Sequence, residues 1–149
     1  LYFNSVKLKP KSIFLFFVVI GLMILFTDQS SNLSKQYFQI LRPCHNEEIY
    51  GLIRVVKEGC GGLYGFFSAH SSNSFAIAGF FYFSLSNYSK LRKFLFLWAV
   101  IIAYSRIYCG VHFPSDVVVG GTYGLASGYL ACIIYSYLMK NKSFLSKSA

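Results

Sequence analysis

Residues 105–116 read SRIYCGVHFPSD, a stretch that lies where one apolar segment of the chain ends and the next begins. It brings Arg106, His112 and Asp116 into one short connection. Arginine offers a planar fork of donors that suits phosphate oxygens. A helix that begins near Pro114 would turn Asp116 back toward the imidazole, and such a pair makes the ring more nucleophilic. The alternative interpretation is a histidine at a helix end beside a capping aspartate.

The segments on either side of this stretch indicate a membrane protein. The chain has 149 residues, of which 55% are hydrophobic and 19% aromatic, and this is too apolar for an ordinary soluble domain. A bilayer crossing needs about 20 apolar residues. Four segments approach that length: Ser12 into the region 27–34, 74–88, 94–109 and 117–139. We therefore expect an all-α integral membrane bundle with four transmembrane helices, forming a single domain over residues 1–149.

The charges are divided between the two faces of the predicted bundle. The side that carries the whole net charge of +9 has these cations: Lys7, Lys9, Lys11, Lys90, Arg92, Lys93, Lys140, Lys142 and Lys147. The other side has equal numbers of cations and acids: Lys35, Arg42, Arg54, Lys57, Arg106, Asp28, Glu47, Glu48, Glu58 and Asp116. This positive-inside pattern places both ends of the chain and the Lys90 loop in the cytoplasm. The basic residues are scattered beside the membrane, which argues against a nucleic-acid partner.

Two further motifs precede residues 105–116 on the outer side. Lys35 is followed by six residues and then by Arg42-Pro43, and residues 68–70 read SAH. In this order the three stretches resemble the signature motifs K-x6-R-P, P-S-G-H and S-R-x5-H-x3-D. Those motifs define the type 2 phosphatidic acid phosphatase superfamily, which also includes the vanadium haloperoxidases. The resemblance covers residues 35–116, and the hydrophobic layout extends it to about Met139.

The second motif departs from the family pattern at two positions. Phe67 stands where the family usually has proline, and Ala69 where it usually has glycine. The turn loses the rigidity of proline, and the Phe67 ring becomes available to pack on lipid or substrate. Ala69 adds a methyl group near the expected phosphate and disfavours a positive φ. Ser68 and His70 match the pattern.

The resemblance implies a role for each matched residue. His112, oriented by Asp116, would attack phosphorus and become a phosphohistidine, while His70 would protonate the leaving oxygen. The phosphate would be bound by Lys35, Arg42, Ser68, Ala69 and Arg106. The resemblance implies neither a metal nor another cofactor.

The implied function is a lipid phosphatase of the bacterial cytoplasmic (inner) membrane, with its active site on the outer, periplasmic face. Family substrates are undecaprenyl pyrophosphate, which we favour, phosphatidylglycerol phosphate, phosphatidic acid and lipid A phosphates. Alternatives are a non-catalytic lipid-phosphate binding or transport protein and a vanadate-dependent haloperoxidase, although the haloperoxidases are soluble. Membrane members usually have six spans, so we expect these to be the last four of six.

The cysteines add one further prediction. Cys44 and Cys60 both lie on the longest polar loop, and in an oxidising outer compartment they would form a disulfide that steadies the site. Cys109 and Cys132 lie in or at apolar segments and are expected to be buried as small hydrophobic residues. A zinc site is disfavoured because no Cys-x2-Cys spacing exists.

Two further features of the sequence each allow two interpretations. Gly120, Gly124 and Gly128 form a stripe that allows a second helix to approach closely, either within the bundle or in a homo-oligomer. Asp28 is predicted at the outer membrane interface, either as a functional group or as a hydrogen-bonding partner inside the bundle.

Overall fold

The computed structural model describes residues 10–53, 55–56, 59–84 and 89–145 of the chain. The helices are α1 (Pro10–Phe38), α2 (Glu47–Tyr50), α3 (Ala69–Ser84), α4 (Ser89–Tyr108) and α5 (Pro114–Leu145), with a 3-10 turn at Pro43–His45. Among the described residues there is no strand, and extended pairing is limited to an antiparallel bridge between Leu41 and Tyr64. The all-α fold predicted from sequence is therefore found.

Within the described ranges, two helices rather than the predicted four are long and apolar enough to cross a membrane: Ser12–Phe38 and Pro114–Lys140. The described part of α3 ends at Ser84 after 16 residues, and the rest of the predicted second span, 85–88, lies outside the described residues. Helix α4 has 20 residues, but cations stand in both its first and last turns. These charges keep α4 out of the set that qualifies by length and composition, although cations at helix ends also flank membrane crossings under the positive-inside rule.

Helix α1 packs with α3 and α5 around an apolar core. The buried members of this cluster are Val19, Met23, Ala76, Phe80, Ala131, Cys132 and Tyr135. The Phe16 ring contacts the rings of Phe80 and Tyr135, with centroids 5.1 Å and 5.6 Å apart. In a bilayer, such interlocking contacts hold helices together because lipid tails are as apolar as the side chains.

The glycine stripe of α5 packs against α3 of the same chain. A Cβ at Gly120 would lie 2.6 Å from the Ser68 carbonyl oxygen, and Gly124 and Gly128 approach the α3 backbone more closely still. Successive contacts advance in the same direction along both helices, so α3 and α5 run parallel. Of the two uses considered for the stripe, packing within the bundle is the one found, and a homo-oligomer stays a prediction.

Four helix ends meet at one end of the bundle. These are the last turn of α1, the first turns of α3 and α5, and the last turn of α4. The Ser31 hydroxyl donates to the Phe67 carbonyl over 2.9 Å, and the Ser68 amide donates to the Asp116 carbonyl over 3.1 Å. Several charges used for the orientation lie outside the described residues: Lys7, Lys9, Arg54, Lys57, Glu58 and Lys147.

Candidate active site

The predicted histidine–carboxylate pair lies where α4 connects to α5. His112 Nδ1 is 3.3 Å from Asp116 Oδ2, and the two residues are 5% and 1% exposed. The same carboxylate oxygen accepts the Phe113 amide over 3.0 Å, and Pro114 is the first residue of α5. Asp116 therefore pairs with the imidazole and caps its own helix at once, so the contacts expected under the two interpretations occur together.

This pairing determines which ring nitrogen of His112 is available for chemistry. A carboxylate only accepts hydrogen bonds, so Nδ1 carries the proton and Nε2 keeps its lone pair. Burial lowers the pKa of His112, and the charges of Arg42 and Lys35 act in the same direction. The hydrogen bond and charge of Asp116 oppose this lowering but do not reverse it. The ring is therefore neutral at pH 7, as a nucleophile must be.

His70 is the second residue of α3 and is exposed. The surrounding protein still removes enough water to lower the pKa of His70, and the positive field of Arg106, His112, Lys35 and Arg42 lowers it further. The charges of these four groups affect the pKa of His70 because the groups lie near its ring. The structure thus brings together five polar residues that three distant stretches of sequence supply.

Arg42 lies between α1 and the 3-10 turn, with its guanidinium partly buried. Its Nε donates to the Tyr64 carbonyl over 3.1 Å, and its Nη1 donates to the Cys60 carbonyl over 2.9 Å. Burial lowers the pKa of Arg42, as does the neighbouring charge of Arg106, while Asp116 raises it. An arginine stays protonated under such shifts, so the site keeps this positive charge.

Lys35 and Arg106 approach the site from two different helix ends. Lys35 is in the last turn of α1, and Arg106 is in the last turn of α4, where the helix dipole favours cations. Among the described residues, the buried Nε of Arg106 has no hydrogen-bond partner, and Nη2 reaches only the Cys109 sulfur at 4.0 Å. A buried guanidinium N–H without an acceptor is costly, and an anion bound at this position would satisfy it.

Ser68 has a structural role that sequence analysis did not identify. It is fully buried, and its hydroxyl oxygen accepts the Ser71 amide over 3.4 Å, which makes Ser68 the N-cap of α3. Its own amide is committed to the Asp116 carbonyl. The helix begins at Ala69, so the first-turn amides of Ala69 and His70 are the donors that an anion can use.

The surroundings of Phe67 show what this residue does in place of the usual proline. Phe67 is 7% exposed, and its ring packs on Tyr123 with centroids 5.0 Å apart. The Tyr123 hydroxyl in turn contacts the Ser30 hydroxyl at 2.8 Å, while the Phe67 carbonyl accepts from Ser31. The expectation that this ring faces lipid or substrate is wrong, because the ring fills the space between α1 and α5.

The remaining candidates are placed as follows. Cys44 and Cys60 are joined by a disulfide, with Cα atoms 6.0 Å apart. Cys132 is buried and Cys109 partly buried, and both are free thiols. Asp28 accepts a hydrogen bond from Asn32 on its own helix at 3.4 Å. Within the described part of the chain, no three histidine, cysteine or acidic residues are grouped in a way that could hold a metal ion.

A cleft of about 460 Å³ opens beside His112. Its other walls are largely apolar: Pro43, Ile49, Ile53, Val56, Ile107, Tyr108, Gly110, Phe113 and Pro114. Among the described residues no lysine or arginine lines it, and the described cations of the site, Lys35, Arg42 and Arg106, lie outside this apolar lining. This arrangement suits an amphiphilic ligand with an anionic group.

Comparison with known proteins connects this geometry to a family. Residues 12–140 match the model of the PAP2 superfamily. A lipid A 4'-phosphatase of Porphyromonas gingivalis is 36% identical over 134 residues, which cover 87% of this chain and 55% of that protein. A lipid A 4'-phosphatase of Bacteroides thetaiotaomicron is 38% identical over 115 residues, which cover 76% of this chain and 51% of that protein. The chain thus spans about half the length of these curated relatives, and no solved structure matches it.

Proposed function

Since the chain belongs to the PAP2 superfamily, we propose that it is an integral membrane lipid phosphatase. The observation that carries this proposal is the buried pair of His112 and Asp116, 3.3 Å apart, in the field of several cations. A protein that only binds lipid phosphates needs the cations but has no use for an oriented, neutral imidazole. The non-catalytic alternative is disfavoured for that reason.

The proposed reaction has two steps. Nε2 of His112 attacks phosphorus and forms a P–N bond as the P–O bond to the lipid breaks, and the leaving oxygen takes the proton of His70. Water then attacks the phosphohistidine, with His70 now accepting a proton, and orthophosphate leaves with the imidazole restored. Lys35, Arg42 and Arg106 stabilise the negative charge on the phosphoryl oxygens in both steps.

These residues supply positive charge, a nucleophile and a proton donor from side chains alone, so the proposed mechanism requires no metal. Vanadate would occupy the same anion site, so the haloperoxidase alternative would use the same residues. The two apolar helices favour a membrane-embedded enzyme over that soluble class.

For the substrate we propose a phosphate on a lipid A-type glycolipid. The two relatives named above are lipid A 4'-phosphatases, and this moves the preference away from undecaprenyl pyrophosphate. The apolar cleft beside His112 supports an amphiphilic substrate in either case. Undecaprenyl pyrophosphate, phosphatidylglycerol phosphate and phosphatidic acid remain the comparison substrates.

We place the active site on the outer, periplasmic face of the cytoplasmic membrane. The cations at the start of α4 lie at the opposite end of the bundle from the site, and the positive-inside rule puts them in the cytoplasm. A disulfide between Cys44 and Cys60, at the site end, fits an oxidising compartment.

The test is phosphate release from the four lipids in detergent with a chelator present. We expect turnover of lipid A phosphate, its loss in His112→Ala, and a phosphohistidine trapped from the parent protein after an alkaline quench. His45→Gln is the matched control, because His45 lies on the polar loop and its ring contacts the Gly61 carbonyl at 3.4 Å rather than the His112–Asp116 pair. Equal rates for His112→Ala and the parent would refute the covalent mechanism, and binding without turnover would favour a carrier.

A further inference from the structure

A loop formed by residues 59–65 encloses the side chain of Arg42. The two chain segments meet in an antiparallel bridge, in which the Arg42 amide donates to the Leu63 carbonyl over 3.1 Å and the Gly65 amide donates to Ile40 over 2.9 Å. The guanidinium then donates to the Cys60 and Tyr64 carbonyls. Two of the five guanidinium N–H groups are thus committed to one loop, which fixes the direction in which the other three point.

Glycines let this loop close on the arginine. A Cβ at Gly61 would lie 3.1 Å from Arg42 Nη1, and the φ of +77° at Gly61 is one that other residues rarely adopt. A Cβ at Gly65 would lie 3.1 Å from both Arg42 Cγ and Asp116 Oδ2. Gly65 therefore lies between Arg42 and the carboxylate that orients His112.

The disulfide joins both ends of this enclosure. Cys44 follows Arg42 by two residues, and Cys60 supplies the carbonyl that accepts from Nη1. We propose that the Cys44–Cys60 disulfide is a positioning element that orients Arg42 toward phosphate through the Cys60 carbonyl, so that phosphate affinity depends on the redox state of this pair. The proposal rests on the proposed function only in taking Arg42 as a phosphate ligand.

The physical reason lies in the geometry of arginine recognition. A guanidinium binds phosphate through paired, directional N–H hydrogen bonds, so its contribution to phosphate affinity depends on its orientation as well as on its charge. A dithiol such as dithiothreitol reduces the disulfide with two electrons and two protons, giving two thiols and an oxidised dithiol. The Cys60 carbonyl is then no longer tied to the chain beside Arg42, and the guanidinium loses part of its preorganisation.

The experiment is a double-mutant cycle on phosphate affinity. Equilibrium dialysis with radiolabelled orthophosphate measures binding to four proteins: the parent, Cys44→Ser/Cys60→Ser, Arg42→Ala, and the combination. When Arg42 is present, we expect the cysteine substitutions to weaken phosphate binding about tenfold, which is the effect of losing one well-aligned charged hydrogen bond. In the Arg42→Ala background we expect them to change it less than about twofold.

Reduction of the parent protein gives an independent measurement that needs no variant to fold. Dithiothreitol should reproduce the loss of phosphate affinity, reoxidation should restore it, and Cys44→Ser/Cys60→Ser should not respond. Cys132→Ser is the matched control, because that thiol is buried in the apolar core and should leave phosphate binding thiol-sensitive. With a lipid substrate, KM should rise more than kcat falls.

Two results would overturn the inference. Unchanged phosphate binding after complete reduction would show that the disulfide does not orient Arg42. An equal loss with and without the Arg42 side chain would show that the disulfide supports the fold in general. Failure of the proposed function looks different, since a protein that hydrolyses none of the four lipids would still show thiol-sensitive, Arg42-dependent phosphate binding.

Discussion

Replacing Gly124 by alanine tests the contact that brings the two halves of the site together. The new methyl group would overlap backbone atoms of Ser72, including its carbonyl oxygen, rather than a flexible side chain that can move away. Helix α3 must therefore shift away from α5. Because the Ser68 amide is bonded to the Asp116 carbonyl just above this contact, the shift also moves His70 relative to His112.

The size of the effect follows from two opposing contributions. Alanine in place of glycine favours a helix by about 0.5–1 kcal/mol. Overpacking a close contact costs about 1–3 kcal/mol. Gly21 on α1 is the matched control, because a Cβ there meets nothing within 4 Å. Both variants share the helix contribution, so the difference between their free energies of unfolding isolates the steric cost at about 1–3 kcal/mol.

Thermal unfolding in detergent measures this difference, and about 2–4 °C separates two such variants for each kcal/mol. We expect Gly124→Ala to melt below the parent and Gly21→Ala to melt at or slightly above it. Phosphate release should fall more than tenfold in Gly124→Ala alone, since a misplacement of about 1 Å near reacting groups can cost roughly 10²-fold. A Gly124→Ala protein as stable and active as Gly21→Ala would refute the packing of α5 on α3.

Three further predictions concern the site itself. Asp116→Asn can still accept the Phe113 amide, so we expect normal melting but a kcat lower by on the order of 10³–10⁴-fold, because the His112 tautomer is no longer held. The pKa values of His112 and His70 are both lowered, and in the proposed mechanism His112 must be neutral while His70 must be protonated. A pH profile of kcat/KM should therefore peak below about pH 6.5, and the fall on its alkaline side should vanish in His70→Gln. A peak above about pH 8 would contradict these roles. Phe67→Ala should destabilise the protein by about 3–5 kcal/mol and Phe67→Leu by much less, because leucine leaves a smaller cavity. Melting curves of the two variants measure this difference. Equal stability of Phe67→Ala and the parent would place the ring outside the interior.

Relations within one helix or turn were predictable from the sequence. The four-residue spacing of His112 and Asp116, with Pro114 between them, predicted a helix start that turns the carboxylate onto the ring, and this is found. The order of apolar and charged segments predicted an all-α fold with its polar motifs at one end. The prediction of four membrane crossings was only partly supported, since within the described residues two helices qualify by length and composition, and the cations at both ends of α4 keep that helix outside the criterion.

The sequence by itself determined which candidate residues the site contains and which close neighbours among them face each other. Helix periodicity explains this, because it places residues four apart on the same face. The tertiary structure alone decided how distant segments meet: Phe67 against Tyr123, the glycine stripe against α3, and the loop 59–65 around Arg42. These contacts depend on how helices dock, and docking depends on side-chain volumes and backbone approach across segments that share no local pattern.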